Sequence, residues 1–131
     1  MKPMTSEWLK AASDDLKVID LLLDNAELTN VSAFHAQQAV EKCFKAFLEE
    51  KTGITPKSHD LIKIFQMIQE VGNLDIDIAT LRAINEVYID SRYPGDMGLL
   101  PNGKPSLADA REFADFAVTV FNVVSNLPGV H

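Results

Sequence analysis

The sequence predicts an all-α fold, an up-and-down antiparallel bundle of four to five helices. Apolar residues recur at three- and four-residue spacing along almost the whole chain, which is typical of amphipathic helices and not of strands. Helix-capping residues, glycines and prolines separate these stretches. Because 131 residues are the length of one domain with one core, we predict a single helical domain over residues 1–131.

Each predicted helix follows from its own start and stop signals. In chain order the predicted helices are residues 5 or 6 to 26, 30 or 32 to 51, 59 or 60 to 71, 75 or 77 to 92, and 106 to about 127. Gly53 suits the end of the second helix, and Pro94 ends the fourth. Ser106 with Asp109 resembles a capping box. Residues 93–105 contain three prolines and three glycines, so we expect an exposed loop there.

Composition excludes several classes of protein. The net charge of −7 argues against binding to duplex DNA, and residues 31–60 are the only part that is not net acidic. Cys43 is the only cysteine, so an intrachain disulfide and a cysteine-based zinc site are excluded, and we expect this side chain in the core. The sequence starts without a hydrophobic signal region, and its most apolar run is too short to span a bilayer. We therefore expect a cytoplasmic protein without a membrane partner.

The second predicted helix has an apolar side and a polar side. Residues turn by about 100° each, which places six polar residues opposite the core side: His35, Gln38, Glu41, Lys42, Lys45 and Glu49. One interpretation is a solvated face with ion pairs such as Glu41–Lys45. The other is a ligand or partner surface. Gln37 falls on the core side, so we expect its amide to bond to another helix, at Asn85, Tyr88 or Arg92.

The fourth predicted helix carries Asn85 and Arg92 in the middle of its apolar face. A guanidinium there must find a carboxylate, a phosphate or solvent. Arg92 can hold a phosphate by two parallel hydrogen bonds, with Tyr88 or Tyr93 stacking a base or donating a hydroxyl. Alternatively, Arg92 pairs with a carboxylate and pins the fourth helix and the loop; the candidate carboxylates are Asp60, Asp90 and Asp96.

Three blocks of this sequence resemble the HEPN domain family, whose name stands for higher eukaryotes and prokaryotes nucleotide-binding. The blocks are residues 34–42 (Phe-His-Ala-Gln-Gln-Ala-Val-Glu-Lys), 58–61 (Ser-His-Asp-Leu) and 91–94 (Ser-Arg-Tyr-Pro). The resemblance extends from Trp8 to about Leu127 and implies an all-α bundle that commonly forms a homodimer. It also implies a partner, because members are often encoded beside a minimal nucleotidyltransferase in toxin–antitoxin pairs.

Many members of the family are metal-independent ribonucleases with an Arg-x(4–6)-His motif near the dimer cleft. Arg92 matches the arginine of that motif, but Met97, Gly98 and Leu99 stand where the histidine would follow. No histidine lies between Arg92 and His131, so the usual general acid/base is missing.

The resemblance therefore implies a nucleotide- or RNA-binding component that acts with a minimal nucleotidyltransferase and lacks strong catalysis. Two alternatives stay open. One is a metal-independent ribonuclease in which His59 or His35 substitutes for the missing histidine. The other is a non-catalytic dimeric interaction module.

We predict no cofactor and no metal, since the adjacent His59 and Asp60 point about 100° apart on a helix and no Glu-x-x-His accompanies them. The candidate nucleotide- or phosphate-binding residues are Arg92, Tyr88, Tyr93, Asn85, Gln37, Gln38, Lys42, Lys45, His35 and His59.

Overall fold

A computed structural model describes residues 1–91 and 104–127, with side chains in the fourth helix as far as Val87. The described part contains five α-helices, one short 3-10 turn and no strand, which confirms the predicted all-α bundle. The helices are α1 (Pro3–Leu22), α2 (Thr29–Thr52), α3 (Leu61–Val71), α4 (Ile78–Ser91) and α5 (Leu107–Ser125), and the 3-10 turn (Ala26–Leu28) joins α1 to α2. The predicted loop at 93–105 lies almost entirely outside the described residues.

The helix ends agree with the sequence where a local signal is strong. Gly53 ends α2 in the left-handed conformation with φ of 73°, where other residues are strained. Asp60 caps α3 by accepting hydrogen bonds from the backbone N–H groups of Ile62 and Lys63. Ser106 and Asp109 form the predicted capping box of α5.

Two boundaries around the first connection differ from the prediction. The first helix ends at Leu22 and not at Ala26, because Asn25 accepts a hydrogen bond from the Glu27 N–H and starts the 3-10 turn. The second helix begins at Thr29, before either predicted cap. The turn leads directly into α2, whose first residue is held by a 2.6 Å hydrogen bond from the Thr29 hydroxyl to the Pro105 carbonyl. This contact places the start of α5 beside the start of α2.

The first two helices are antiparallel. Near the start of α1, the Thr5 hydroxyl donates to Glu50 of α2, and further along α1 Asp15 contacts both Lys42 and His35. Residue numbers therefore rise along α1 as they fall along α2. Of the described helices, α2 is the one that packs against all the others, and it places buried side chains in a core to which all five helices contribute.

None of the helices in the described residues is both long enough and apolar enough to cross a membrane. The cysteine at position 43 lies in the core, as predicted, with no exposed surface. Burial, and to a lesser extent the Asp15 carboxylate, raises the pKa of the Cys43 thiol well above its usual range.

The burial of Cys43 makes a prediction for thiol chemistry. The thiolate is the reactive form, and a buried thiol with a raised pKa supplies almost none of it. We expect the native protein to show no reaction with a disulfide reagent such as Ellman's reagent near neutral pH. The same protein in guanidinium chloride should release one equivalent of thiol, matching its one cysteine. Complete labelling of native protein within minutes would contradict the burial of Cys43.

Candidate functional site

A row of polar side chains runs along a buried face of α2. Gln37, Glu41 and Lys45 are spaced by four residues, so they lie one turn apart on one stripe of the helix. Their exposed fractions are 0%, 4% and 5%. Within this α2 row, Lys45 Nζ donates to Glu41 Oε2 at 2.9 Å, and Gln37 Nε2 donates to Glu41 Oε1 at 3.2 Å. Glu41 therefore accepts hydrogen bonds from the row on both of its oxygens.

His59, in the segment between α2 and α3, extends the row toward the surface. Its Nδ1 lies 3.0 Å from Glu41 Oε2, and its side chain is 51% exposed. In the tautomer that carries its proton on Nδ1, the imidazole donates this hydrogen bond to the carboxylate. On the other side of the row, the half-buried Gln38 donates to Gln37 Oε1 at 2.6 Å. The row is thus part of a network that reaches from Gln38 to His59.

The next residue along the chain connects this network to α4. Asn85 is 7% exposed, and its Nδ2 donates to Asp60 Oδ1 at 3.1 Å. Its Oδ1 accepts the Leu61 backbone N–H at 2.9 Å. The side chain therefore connects the start of α3 to the middle of α4. These bonds satisfy the amide of a residue that was predicted to lie on the apolar face of α4. We call Gln37, Gln38, Glu41, Lys45, His59, Asp60 and Asn85 together the polar network.

A second, separate cluster joins α1 to α2. Asp15, 7% exposed, contacts His35 Nδ1 through Oδ1 at 2.9 Å and Lys42 Nζ through Oδ2 at 2.7 Å. This cluster has the same three kinds of group as Glu41 with His59 and Lys45. The two clusters differ in burial, because the His35 side chain is only 26% exposed and the Lys42 side chain is 25% exposed, against 51% for His59 and 6% for Lys45.

The structure corrects two expectations about α2. The interpretation of its polar side as a solvated face is wrong for Glu41 and Lys45, which are buried because other helices cover even this side of α2. The predicted ion pair between them is present. The hydrogen bonds described for the Gln37 side chain lie within α2, and the expected bond to Asn85 is not formed, since Asn85 is engaged by Asp60 and Leu61. The other two expected partners, Tyr88 and Arg92, lie outside the described side chains.

The ten candidate residues fall into three groups. The polar network brings together Gln37, Gln38, Lys45, His59 and Asn85, while His35 and Lys42 belong to the Asp15 cluster. Arg92 and Tyr93 lie outside the described residues, and Tyr88 is described only as a backbone position in α4. Arg92 directly follows the last residue of α4 in the chain. Among residues 1–91 and 104–127, no group of three or more His, Cys, Asp or Glu side chains is arranged to hold a metal ion.

Glu41 is the central acceptor of the network, a role that the sequence did not predict. The sequence predicted only its ion pair with Lys45 on the polar side of the helix. A usable signal was present, because Gln37, expected to be buried, lies four residues before Glu41 on the same stripe. Asp60 was expected at the start of the third helix, and its contact to Asn85 depends on tertiary structure.

Comparison with protein-family models identifies the chain. The model of the HEPN domain matches residues 5–127, so the protein belongs to the HEPN domain family. Membership implies a nucleotide- or RNA-binding function or a ribonuclease-like one. Searches of curated proteins and of solved structures gave no match.

The buried Glu41–Lys45 pair makes a prediction for stability. Replacing Lys45 by Met removes one partner and leaves a buried carboxylate, which typically costs about 3–5 kcal/mol. The double variant Glu41→Gln/Lys45→Met removes both charges and keeps the side-chain volumes similar. We expect it to regain most of the stability lost in Lys45→Met, because replacing a buried ion pair as a whole is often nearly neutral.

Denaturant unfolding of the wild type, the single variant and the double variant measures this difference. Lys10→Met is the matched control, since Lys10 forms only an exposed pair with Glu7; its free energy of unfolding should change by about 0.5 kcal/mol or less. Equal losses in Lys45→Met and in the double variant would show that the two charges are not coupled.

Proposed function

We propose that this HEPN protein binds a nucleotide or a short single-stranded RNA at a site formed by the polar network and the segment that follows α4. The observation that carries this proposal is the continuity of the network. Hydrogen bonds lead from Gln38 through Gln37 to Glu41 and His59, and the adjacent Asp60 bonds to Asn85 of α4. Donors and acceptors from α2, from the segment between α2 and α3, and from α4 thus lie together in one part of the bundle.

The free-energy cost of burying two charges supports a functional role for this network. Burying two charges is expensive, and apolar residues of similar size often serve stability equally well. Glu41 and Lys45 are charged groups that lie among the buried apolar residues of α2. Departures from a locally consistent core are expected at functional sites.

The charges of the described residues favour a small ligand over a long nucleic acid. Lys42 and Lys45 are each paired with a buried carboxylate, and the net charge of the chain is −7. Broad binding to nucleic acid requires many unpaired cations along a surface. In the proposal, Arg92 holds a phosphate, Tyr88 and Tyr93 supply a stacking ring or a hydroxyl, and the half-buried Gln38 and the exposed part of His59 contact the ligand.

The proposal also includes a protein partner, which rests on the family resemblance alone. Members often act in toxin–antitoxin-like pairs with a minimal nucleotidyltransferase, and they commonly form homodimers. We propose both associations for this protein, together with a cytoplasmic location. The ribonuclease alternative is favoured by one specific observation, the contact between His59 and Glu41.

The role of Arg92 is tested by binding of AMP, ATP and a short single-stranded RNA in titration calorimetry. Arg92→Ala should weaken binding by about 1–3 kcal/mol, the range for a charge-assisted hydrogen bond to phosphate. Arg82→Ala is the matched control, because Arg82 is an exposed arginine on α4, ten residues earlier in the chain. It should leave the affinity unchanged within about twofold.

Two results would contradict this function. The first is absence of binding by the wild type at millimolar nucleotide and RNA. The second is equal weakening in Arg92→Ala and Arg82→Ala, which would indicate a general effect of charge. A lower melting temperature of Arg92→Ala with unchanged affinity would favour the non-catalytic interaction module, in which Arg92 pins the structure.

The partner is tested by coexpression with the protein encoded beside this chain. We expect that neighbour to be a minimal nucleotidyltransferase and to elute with the tagged HEPN protein as one complex in size-exclusion chromatography. The HEPN protein alone should elute as a dimer. A neighbouring protein of another class, or separate elution of a nucleotidyltransferase, would contradict the proposed partnership without affecting the nucleotide-binding test.

A further inference from the structure

A tryptophan of α1 lies against the polar network. The Lys45 ammonium stands over the ring of Trp8, the only tryptophan of the chain, with Nζ 5.5 Å from the ring centroid. A cation in this position is attracted by the negative face of the ring. Trp8 is half-buried and packs against the core, whereas Lys45 is 5% exposed. The contact thus adds a residue of α1 to the surroundings of the Lys45 ammonium.

The nitrogen of this indole is buried and has no hydrogen-bond acceptor among the described residues. The N–H of a buried tryptophan usually has a partner. Within the described part of the chain, the other two buried side-chain atoms in this condition are the hydroxyl oxygens of Ser32 and Ser125. A serine hydroxyl in a helix can rotate toward a backbone carbonyl of the preceding turn, but an indole N–H is fixed in the plane of its ring. Trp8 therefore depends on an acceptor from outside its own helix.

The ammonium beside the indole has donors to spare. An ammonium carries three N–H donors, and the one hydrogen bond described for Lys45 goes to Glu41 Oε2. The ring face that Lys45 also contacts accepts hydrogen bonds more weakly than an oxygen atom does. A buried charge is stabilised when hydrogen bonds satisfy its remaining donors as well as its charge. Trp8 and Lys45 thus bring donors without described oxygen acceptors to one contact between α1 and α2.

An oxyanion is the kind of group that these donors fit. Hydrogen bonds from an indole N–H or an ammonium to a phosphate oxygen are charge-assisted and therefore strong. A phosphate has several oxygens, so one group accepts from both side chains at once. The Glu41 carboxylate also accepts from Gln37, so it keeps a partner within α2 when Lys45 donates to a ligand.

We propose that Trp8 and Lys45 form an oxyanion subsite, in which the indole Nε1 and the ammonium Nζ donate to oxygens of one phosphate group of the bound ligand. This inference rests on the proposed binding function and adds α1 to it, while Arg92 holds another phosphate of the same ligand. The indole nitrogen is closed to solvent and Lys45 nearly so, which means that the phosphate reaches them when the half-buried indole turns outward. Binding is therefore coupled to a movement of Trp8.

The single tryptophan makes this subsite directly observable in the wild-type protein. In a proton–nitrogen correlation spectrum of isotope-labelled protein, Trp8 gives the only indole N–H signal. ATP without added magnesium should move this signal downfield, because the N–H gains a hydrogen bond to an oxyanion. Inorganic triphosphate should move it in the same direction. Adenosine, which has no phosphate, should leave it in place.

The variant Trp8→Phe tests the contribution of the N–H to affinity. Phenylalanine keeps a ring face for Lys45 and removes the donor. In titration calorimetry its affinity for ATP should fall about 10-fold or more, the loss expected for a hydrogen bond to a charged group. The matched control is Phe121→Leu in α5, since Phe121 also packs partly buried against the core. This control should leave the affinity for ATP unchanged.

Several results would overturn the subsite. ATP that binds in calorimetry without moving the indole signal would do so, while the proposed binding function would stand. Equal shifts with adenosine and ATP would indicate contact with the base and not with a phosphate. Equal affinities of the wild type and Trp8→Phe, or equal losses in Trp8→Phe and Phe121→Leu, would also contradict it. If Trp8→Phe does not fold, the indole signal of the wild type decides. If neither ATP nor triphosphate binds, the subsite is refuted, and the proposed function then depends on the RNA titration.

Discussion

The buried Glu41 carboxylate is the group on which the internal polar structure of this bundle depends. It accepts hydrogen bonds from Gln37, Lys45 and His59, and it lies on the helix that packs against all the other described helices. A charge in such a position is tolerated only when its hydrogen-bonding capacity is satisfied. The Lys45 ammonium and the Gln37 amide meet this requirement from within α2. His59 meets it from outside α2, so the carboxylate also fixes where the segment between α2 and α3 runs.

The rest of α2 explains how a charged row can lie inside a small bundle. The sides of the helix that face the core carry Ala33, Ala36, Ala39 and Ala46, all buried, together with large apolar residues such as Phe44 and Phe47. Small residues let neighbouring helices approach closely, and the phenylalanines supply much of the apolar area that stabilises the core. This apolar burial offsets the desolvation of Glu41 and Lys45. Apolar burial therefore supplies the stability of the fold, and the polar network fixes the positions of the polar side chains within it.

The sequence predicts what is decided locally in this protein and misses what tertiary packing decides. Gly53, Asp60 and the Ser106 capping box act on neighbouring backbone groups, so their signals are visible within a few residues. The helical periodicity of α2 shows which residues share a stripe, but it does not show how many helices surround that helix. Glu41 and Lys45 were therefore expected in solvent, although the ion pair between them was predicted. The partners of Gln37 and Asn85 were likewise set by the packing of helices.

The two histidine–carboxylate contacts of this chain show that local chemistry alone does not define a reactive site. His35 with Asp15 and His59 with Glu41 have the same atoms at nearly the same distance, 2.9 and 3.0 Å. They differ in what the fold places around them. Asp15 of α1 contacts His35 and Lys42 of α2, so this cluster connects the two helices, and the His35 side chain is only 26% exposed. His59 precedes the cap of α3, its imidazole is 51% exposed, and Asn85 of α4 bonds to the neighbouring Asp60. The same kind of contact therefore holds different parts of the fold together: Asp15 ties α1 to His35 of α2, and Glu41 of α2 ties down the segment before α3.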